Sequence, residues 1–472
     1  MPDSISAAQP LDAPLGKPYG GGAGYFPIII PEESNIVINL NDFNFFKTTI
    51  ENASYGDTIY VMDHLQIEIP AGSNLTVPDG VTLASGRGKN GSLGALIYHD
   101  NFIEPVQYGI IRVGNNVQIT GLRIRGPNGS NSPDNGNFLN YGILQTNKEK
   151  LEIHNCEIYN WYFIAIFATN SDGLNVHHNY IHNNQKPGTG YGVASMWESS
   201  IEVRYNIFNF NRHSIAGHGE LIRLPSYTAE YNLILPCGNG HRFDMHGFRD
   251  RYQDDPDMLN SCNYWEPCNY SGDTLEIHNN TFVTIPNELN YPLIVIRGIP
   301  KHNAAITNNN FNGYSQTITQ VLFHYLLCDT CTTCEQPASN ASVEGPFYSW
   351  HGCNYSGILD DPANNITVEN NYNEEVFIRQ IDWGGDSEGF VIVAPEIKYF
   401  NSGTFEYGDF NGDGRTDILN QGYISYSGLT PWEFSTESYN INSNHLVDFN
   451  GDGLEDSLQI VHPTTLWPDG CY

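Results

Sequence analysis

One short phrase that recurs along the chain constrains its fold more than any other feature. The phrase is an apolar residue, two variable residues, a polar residue that is usually Asn, one more variable residue and a second apolar residue. Copies occur at residues 153–158, 176–181, 203–208, 229–234, 277–282, 306–311 and 368–373. Each unit is too short to bury its own apolar face, so the repetition predicts a solenoid whose stacked coils share one core.

The polar position of the phrase is predicted to form a ladder through the stack. Asn179, Asn206 and Asn232 follow one another at about the length of one solenoid coil. An Asn at the same bend of each coil can hydrogen-bond to the coils above and below it. Cys156 replaces Asn in one copy, and this buried position makes it the expected unpaired thiol among the nine cysteines.

Composition narrows the class of protein and its partners. Only 16% of the residues are charged and 46 are Gly, which favours short strands and turns over helices. The formal net charge of −32 argues against nucleic acid as a partner, because phosphate contacts need a basic surface. No apolar run is long enough to span a membrane, and no signal peptide is visible at residues 1–18. The cysteines nevertheless favour a secreted protein in which disulfides fasten the long loops.

Two Asp-rich segments near the C-terminus have the pattern of calcium-binding loops. Each places oxygen-bearing side chains at alternate positions, with a Gly for the sharp turn and a later carboxylate, as Ca²⁺ requires. We expect structural Ca²⁺ to be held by Asp409, Asn411, Asp413 and Asp417 and by Asp448, Asn450, Asp452 and Asp456. The two segments resemble the calcium loops of FG-GAP and dockerin-type repeats.

Stacking the coils also aligns a set of side chains that can carry positive charge. One predicted column holds Tyr191, His213 and His241, and a second holds His218, His246 and Arg297. Asp244 precedes His246 by two residues, so in a strand it would share the face of His246 and could orient it. A flat strand would put His213 and His218 on opposite faces, so a corner between them is needed to bring the two columns together.

The side chains of these two columns suit the cleavage of an acidic polysaccharide. A positive strip could neutralise a uronate or sulfate group while a His or Tyr removes the proton next to the carboxylate and another group protonates the leaving oxygen. This reaction is β-elimination, and Arg223, Arg249 and Arg251 are candidate substrate contacts in the adjoining loops. The same imidazoles together with Asp244 would also suit a transition metal such as zinc or copper.

The repeat pattern resembles the right-handed parallel β-helix proteins of the pectate-lyase-like superfamily over roughly residues 55–375. This resemblance implies an all-β, right-handed parallel β-helix at residues 33–400. The glycines and prolines of residues 1–32 predict an extended arm, and the two Asp-rich segments predict a calcium-binding tail at 401–472. The segment 217–219, Gly-His-Gly, is similar to a motif of polygalacturonase-type glycoside hydrolases. The paired catalytic aspartates of that family are not recognisable in the preceding coils, so the hydrolase stays an alternative.

Two functions of different classes follow. The first is an extracellular enzyme, a lyase that cleaves an acidic polysaccharide. The second is a non-catalytic surface or filament protein, in which the N-terminal arm adds to a neighbouring copy and assembles the chains end to end.

Overall fold

A computed structural model describes the greater part of the repeat region and less of the tail. It covers residues 19–22, 24–100, 109–127, 140–186, 189–218, 223–235, 238, 240–246, 270–283, 293–296, 300–312 and 365–371, and the backbone of seven further strands. No helix within these residues is long and apolar enough to cross a membrane.

Three parallel sheets, here named A, B and C, wind around one core. Within the described residues sheet A has eleven strands and sheets B and C have nine each. The chain passes from A to B to C and back to A, and each strand pairs with the equivalent strands of the coils before and after it. This winding confirms the right-handed parallel β-helix that the repeats predict.

The strand bounds show how short each side of a coil is. Sheet A contains Ile36–Ile38, Thr58–Val61, Thr82–Ala84, Val117–Thr120, Glu149–His154, Asp172–His177, Ser200–Arg204, Ser226–Glu230, Thr274–His278, Asn303–Thr307 and Ile366–Glu369. Sheet B contains Gln66–Glu68, Leu96–Tyr98, Arg123–Arg125, Glu157–Tyr159, Tyr180–His182, Ile207–Asn209, Leu233–Ile234, Thr281–Val283 and Asn310–Asn312. Sheet C contains Leu75–Val77, Ile111–Val113, Tyr141–Thr146, Ile164–Thr169, Tyr191–Met196, His213–His218, Phe243–His246, Ile294–Ile296 and Phe347–Ser349.

The core is made of the inward-pointing residue of each strand, repeated from coil to coil. In sheet B, Ile158, Ile181 and Phe208 occupy one such column, and all three side chains are fully buried. Because successive residues of a strand point to opposite faces, the alternate positions form a second surface on the outside of each sheet. Side chains that bind a ligand or act on a substrate are therefore expected on the outer faces of the sheets.

The predicted Asn ladder is present. The side-chain oxygen of each Asn accepts from the backbone N–H of the equivalent residue one coil earlier: Asn179 from Cys156, Asn206 from Asn179 and Asn232 from Asn206. The ladder continues through Asn280, Asn309 and Asn371. Cys156 is a free, buried thiol, as expected. The other cysteines lie outside the described residues.

The residue before each ladder position has a left-handed backbone conformation. Asn155, His178, Tyr205 and Tyr231 all have positive φ, between 53° and 54°. Bulky residues are rare in this conformation, and here their rings stack on one another along the turn. His178 and Tyr205 have ring centroids 4.8 Å apart, and Tyr205 and Tyr231 are 5.1 Å apart.

Part of the predicted N-terminal arm lies across this turn column. We call residues 19–22, 24 and 25 the glycine strap. The N–H of Gly20 donates to the carbonyl of Tyr205, and the N–H of Gly22 donates to the side chain of Asn155. A Cβ on Gly21 would lie 2.4 Å from the carbonyl oxygen of His178, so the close approach requires glycine there.

Within the described ranges, helical structure occurs only on the N-terminal side of the solenoid. A helix at Phe43–Glu51, capped by the side chain of Asp42, buries Phe46 and Ile50 against the first coils. Short 3₁₀ turns occur at Pro31–Glu33 and Lys89–Gly91.

The described strands of the C-terminal region form two antiparallel sheets. One pairs Phe377–Asp382 with Glu388–Val393, and the other contains Glu406–Gly408, Asp417–Asn420, Tyr423–Ser425 and Glu433–Phe434. Of the predicted calcium ligands, only the backbone of Asp417 is described, at the start of a strand. Residues 409–416 and 448–456 lie outside the described residues.

Candidate functional site

The predicted histidine columns lie on the outer face of sheet C. Register pairs Tyr191 with His213 and pairs His218 with His246, as the sequence alignment of the coils predicts. The ring of His213 stacks between those of Tyr191 and His241, with centroids 5.1 and 5.8 Å away. The rings of His218 and His246 are 5.9 Å apart and tilted.

A bend in the backbone at the start of the His213–His218 strand brings the two columns to the same face. The N–H groups of Ser214 and Ile215 both donate to the carbonyl of Arg242, which interrupts the regular hydrogen-bond ladder there. His213 and His218 therefore share the outer face although they are five residues apart, and the bend supplies the corner that a flat strand lacks.

Asp244 joins the two columns. Its Oδ2 atom lies 3.0 Å from Nε2 of His246 and 3.4 Å from Nε2 of His213. Asp244 and His213 are completely buried, whereas the side chain of His246 is 23% exposed. The cluster thus has a buried floor and one imidazole at its mouth, next to the partly exposed His218.

The tautomer of His213 is set by its second ring nitrogen. Nδ1 lies 2.5 Å from the carbonyl oxygen of His241, and since a carbonyl only accepts, Nδ1 must donate. Burial drives the pKa of His213 well below its ordinary value, and this outweighs the opposite effect of the Asp244 carboxylate. His213 is therefore a neutral imidazole whose Nε2 lone pair points toward Asp244.

Arg212 adds a positive charge that the column analysis of the sequence missed. Its guanidinium donates to the hydroxyl of Tyr191 over 3.2 Å and lies 5.7 Å from the centre of that ring. The only sequence signal for this placement is that Arg212 precedes His213, at the bend where the coil enters sheet C.

Of the three predicted arginine contacts and the column residue Arg297, the structure describes only Arg223. Arg223 lies at the turn that follows sheet C, where it donates to Asn170 and stacks over the ring of Trp197 at 4.5 Å. It is also 3.8 Å from the carboxylate of Glu198. Arg249, Arg251 and Arg297 lie outside the described residues.

Sheet A carries a second polar cluster that sequence reasoning did not single out. His177 lies 3.0 Å from the carboxylate of Glu152 and stacks on His154, with ring centroids 5.0 Å apart. The hydrogen bond from His177 lowers the pKa of Glu152 to about 2. Tyr25 of the glycine strap contacts His154 through its hydroxyl, which ties this cluster to the N-terminal segment.

Comparison with known proteins supports the fold but does not indicate a specific function. The family model for the right handed beta helix region matches residues 78–222. Searches among curated proteins and among solved structures found no match. β-helices occur both in enzymes that act on polysaccharides and in structural proteins, so the match leaves the function to the site itself.

Proposed function

We propose that the chain is an extracellular polysaccharide lyase that cleaves an acidic polysaccharide by β-elimination on the outer face of sheet C. The observation that carries this proposal is the contact between the buried carboxylate of Asp244 and the partly exposed imidazole of His246. A buried carboxylate fixes an imidazole in orientation and stabilises its protonated form. His246 can then present a positive charge to a uronate carboxylate.

His218 is placed to remove the proton. It is paired with His246 across the sheet, is partly exposed and lies on the same outer face. Its imidazole would take the proton on the carbon next to the uronate carboxylate. The electron pair of that C–H bond would form the new C=C bond, the bond to the glycosidic oxygen would break, and protonated His246 would return a proton to that oxygen.

The arrangement suits elimination better than hydrolysis. Glycoside hydrolysis needs two carboxylates, one on each side of the scissile bond. Asp244 is the single carboxylate in the strands of sheet C that the structure describes, and it is completely buried. Arg212 and Tyr191 lie at the other end of the same face, where they would bind an anionic sugar away from the cleavage point.

Secretion and the calcium loops complete the proposal on the strength of the sequence. The cysteine content favours an oxidising environment, and the two Asp-rich segments would hold structural Ca²⁺ at the C-terminal end.

The test is the ultraviolet absorbance of the unsaturated product on a panel of uronate polysaccharides. We expect the wild type to form this product on at least one of them. His218→Ala and His246→Ala should each lower kcat/KM by about 10²–10⁴-fold, the usual contribution of a general acid or base. The matched control is His278→Ala, a partly exposed histidine on the outer face of sheet A.

A folded wild type without product on any member of the panel would refute the lyase. The alternative would then be the non-catalytic surface or filament protein, assembled through its N-terminal arm. Activity unchanged in both site variants would refute the site rather than the reaction.

A further inference from the structure

Three ligand atoms of the cluster converge on one point. His213, Asp244 and His246 each offer one atom, and these atoms all lie within 4.8 Å of one another. The carboxylate oxygen is 3.0 and 3.4 Å from the two imidazole nitrogens. Protein nitrogen and oxygen ligands lie about 2.0–2.2 Å from a zinc ion, which separates neighbouring ligands by roughly 3–4 Å. The spacing therefore fits three ligands of one ion.

The hydrogen bonding at His213 leaves a position that suits a cation. Nδ1 donates to the carbonyl of His241, so Nε2 is the ring nitrogen left to bind a ligand. Within the part of the chain that the structure describes, no hydrogen-bond partner reaches this buried nitrogen, and it faces the carboxylate of Asp244 at 3.4 Å. A buried carboxylate oxygen and a buried imidazole nitrogen that face each other are stable together only when a positive charge lies between them.

The second ring nitrogen of His213 makes the kind of hydrogen bond that metal-binding histidines usually make. A ligating imidazole almost always donates its other N–H to a carboxylate or a backbone carbonyl, which fixes the ring and its tautomer. The carbonyl of His241 does this for His213. His213 and Asp244 are completely buried, so the floor of the cluster is rigid.

We propose that His213, Asp244 and His246 bind a divalent transition-metal ion. Two imidazoles and one carboxylate suit zinc and its neighbours, whereas Ca²⁺ prefers a shell of six or more oxygens. The partly exposed edge of His246 is where a fourth ligand, water or substrate, would approach the ion.

Ion binding is argued from the cluster alone, whereas its use in catalysis rests on the proposed function. There the ion would neutralise the uronate carboxylate in place of a protonated His246. His218 would take the proton as the base and would itself return it to the glycosidic oxygen as that bond breaks.

The experiment uses the full chain, stripped with a chelator and returned to buffer containing excess Ca²⁺, which fills oxygen-rich sites such as the predicted C-terminal loops. Zn²⁺ is then titrated by calorimetry, and Co²⁺ is titrated by visible absorption. We expect one Zn²⁺ per chain and a Co²⁺ spectrum typical of nitrogen and oxygen ligands. Asp244→Asn and His246→Gln should weaken binding by more than about 100-fold, since changes outside the ligand set already cost 10–100-fold.

His278→Gln is the matched control and should bind Zn²⁺ like the wild type. If Asp244→Asn does not fold, His246→Gln carries the comparison, because its side chain is at the mouth of the cluster rather than in the floor. A wild type that takes up no Zn²⁺ in the presence of Ca²⁺ would overturn the proposal, and so would undiminished binding in His246→Gln.

The two proposals fail separately. Zinc binding without product formation on any polysaccharide would refute the lyase and support the metal site. Product formation by a wild type that binds no zinc would support the lyase and refute the metal site.

Discussion

The substitution Asn179→Ala tests whether the Asn ladder stabilises the coils. Asn179 is completely buried. Its oxygen accepts from the N–H of Cys156 at 2.9 Å, and its amide donates to the carbonyl of Ile153 at 2.8 Å. Alanine removes both partners and leaves two buried backbone groups without them. At about 1–3 kcal/mol for each unsatisfied group, we expect a loss of about 2–6 kcal/mol.

The control lies in the same coil. Asn175 is on the outer side of sheet A, and no residue that the structure describes hydrogen-bonds to its side-chain oxygen. Asn175→Ala should therefore change the free energy of unfolding by less than about 0.5 kcal/mol, like other substitutions away from special contacts.

The assay must resolve single coils, because a solenoid can open locally without global unfolding. Denaturant unfolding gives the total change, and amide hydrogen exchange locates it. We expect faster exchange at residues 153–156 and 176–181 in Asn179→Ala only. If Asn179→Ala and Asn175→Ala were equally stable and exchanged alike, the ladder would be a consequence of the coil geometry rather than a cause of its stability.

Three further predictions concern other parts of the solenoid. Gly21→Ala should release the glycine strap and expose it to proteolysis, because the new Cβ would clash with the carbonyl oxygen of His178. Gly24→Ala carries the same backbone strain of a positive φ but has nothing within 4 Å of its Cβ, so it should loosen the strap less than Gly21→Ala does. Since the hydrogen bond from His177 holds the pKa of Glu152 at about 2, the stability from this carboxylate is present above its ordinary pKa and is lost as the pH falls toward 2. Thermal unfolding of Glu152→Gln should accordingly vary less over that acidic range than that of the wild type. Burial raises the pKa of Cys156 to about 12, so thiol reagents should label it in the native protein far more slowly than after denaturation.

The fold could be predicted from the sequence because two independent features of the repeat, its apolar positions and its Asn positions, indicate the same coil. The apolar positions set the period of the coil, and the Asn positions mark the same bend in each turn. The pairs of residues across sheet C followed from that register, which is why Tyr191 and His213, and likewise His218 and His246, fall side by side.

The joining of the two columns could not be predicted in the same way. It depends on a bend in the backbone at which one carbonyl accepts from two N–H groups, and no residue type marks this bend in the sequence. The complete burial of His213 could not be predicted either, because the sequence pattern of a histidine ladder is the same whether its members are buried or exposed. The position of Arg212 beside Tyr191 could not be predicted from the aligned strands, because Arg212 lies in the bend before the strand.

The glycine strap also has a consequence for the order of folding. Its residues are the first of the described chain to leave the ribosome, yet the carbonyl of Tyr205 and the side chain of Asn155, which hold it, are synthesised much later. Any coil that forms before Tyr205 has been synthesised therefore stacks without the contact between Gly20 and Tyr205. A nascent chain that ends before Tyr205 would carry an incompletely docked strap, so a segment made before the residues that hold it settles only after them.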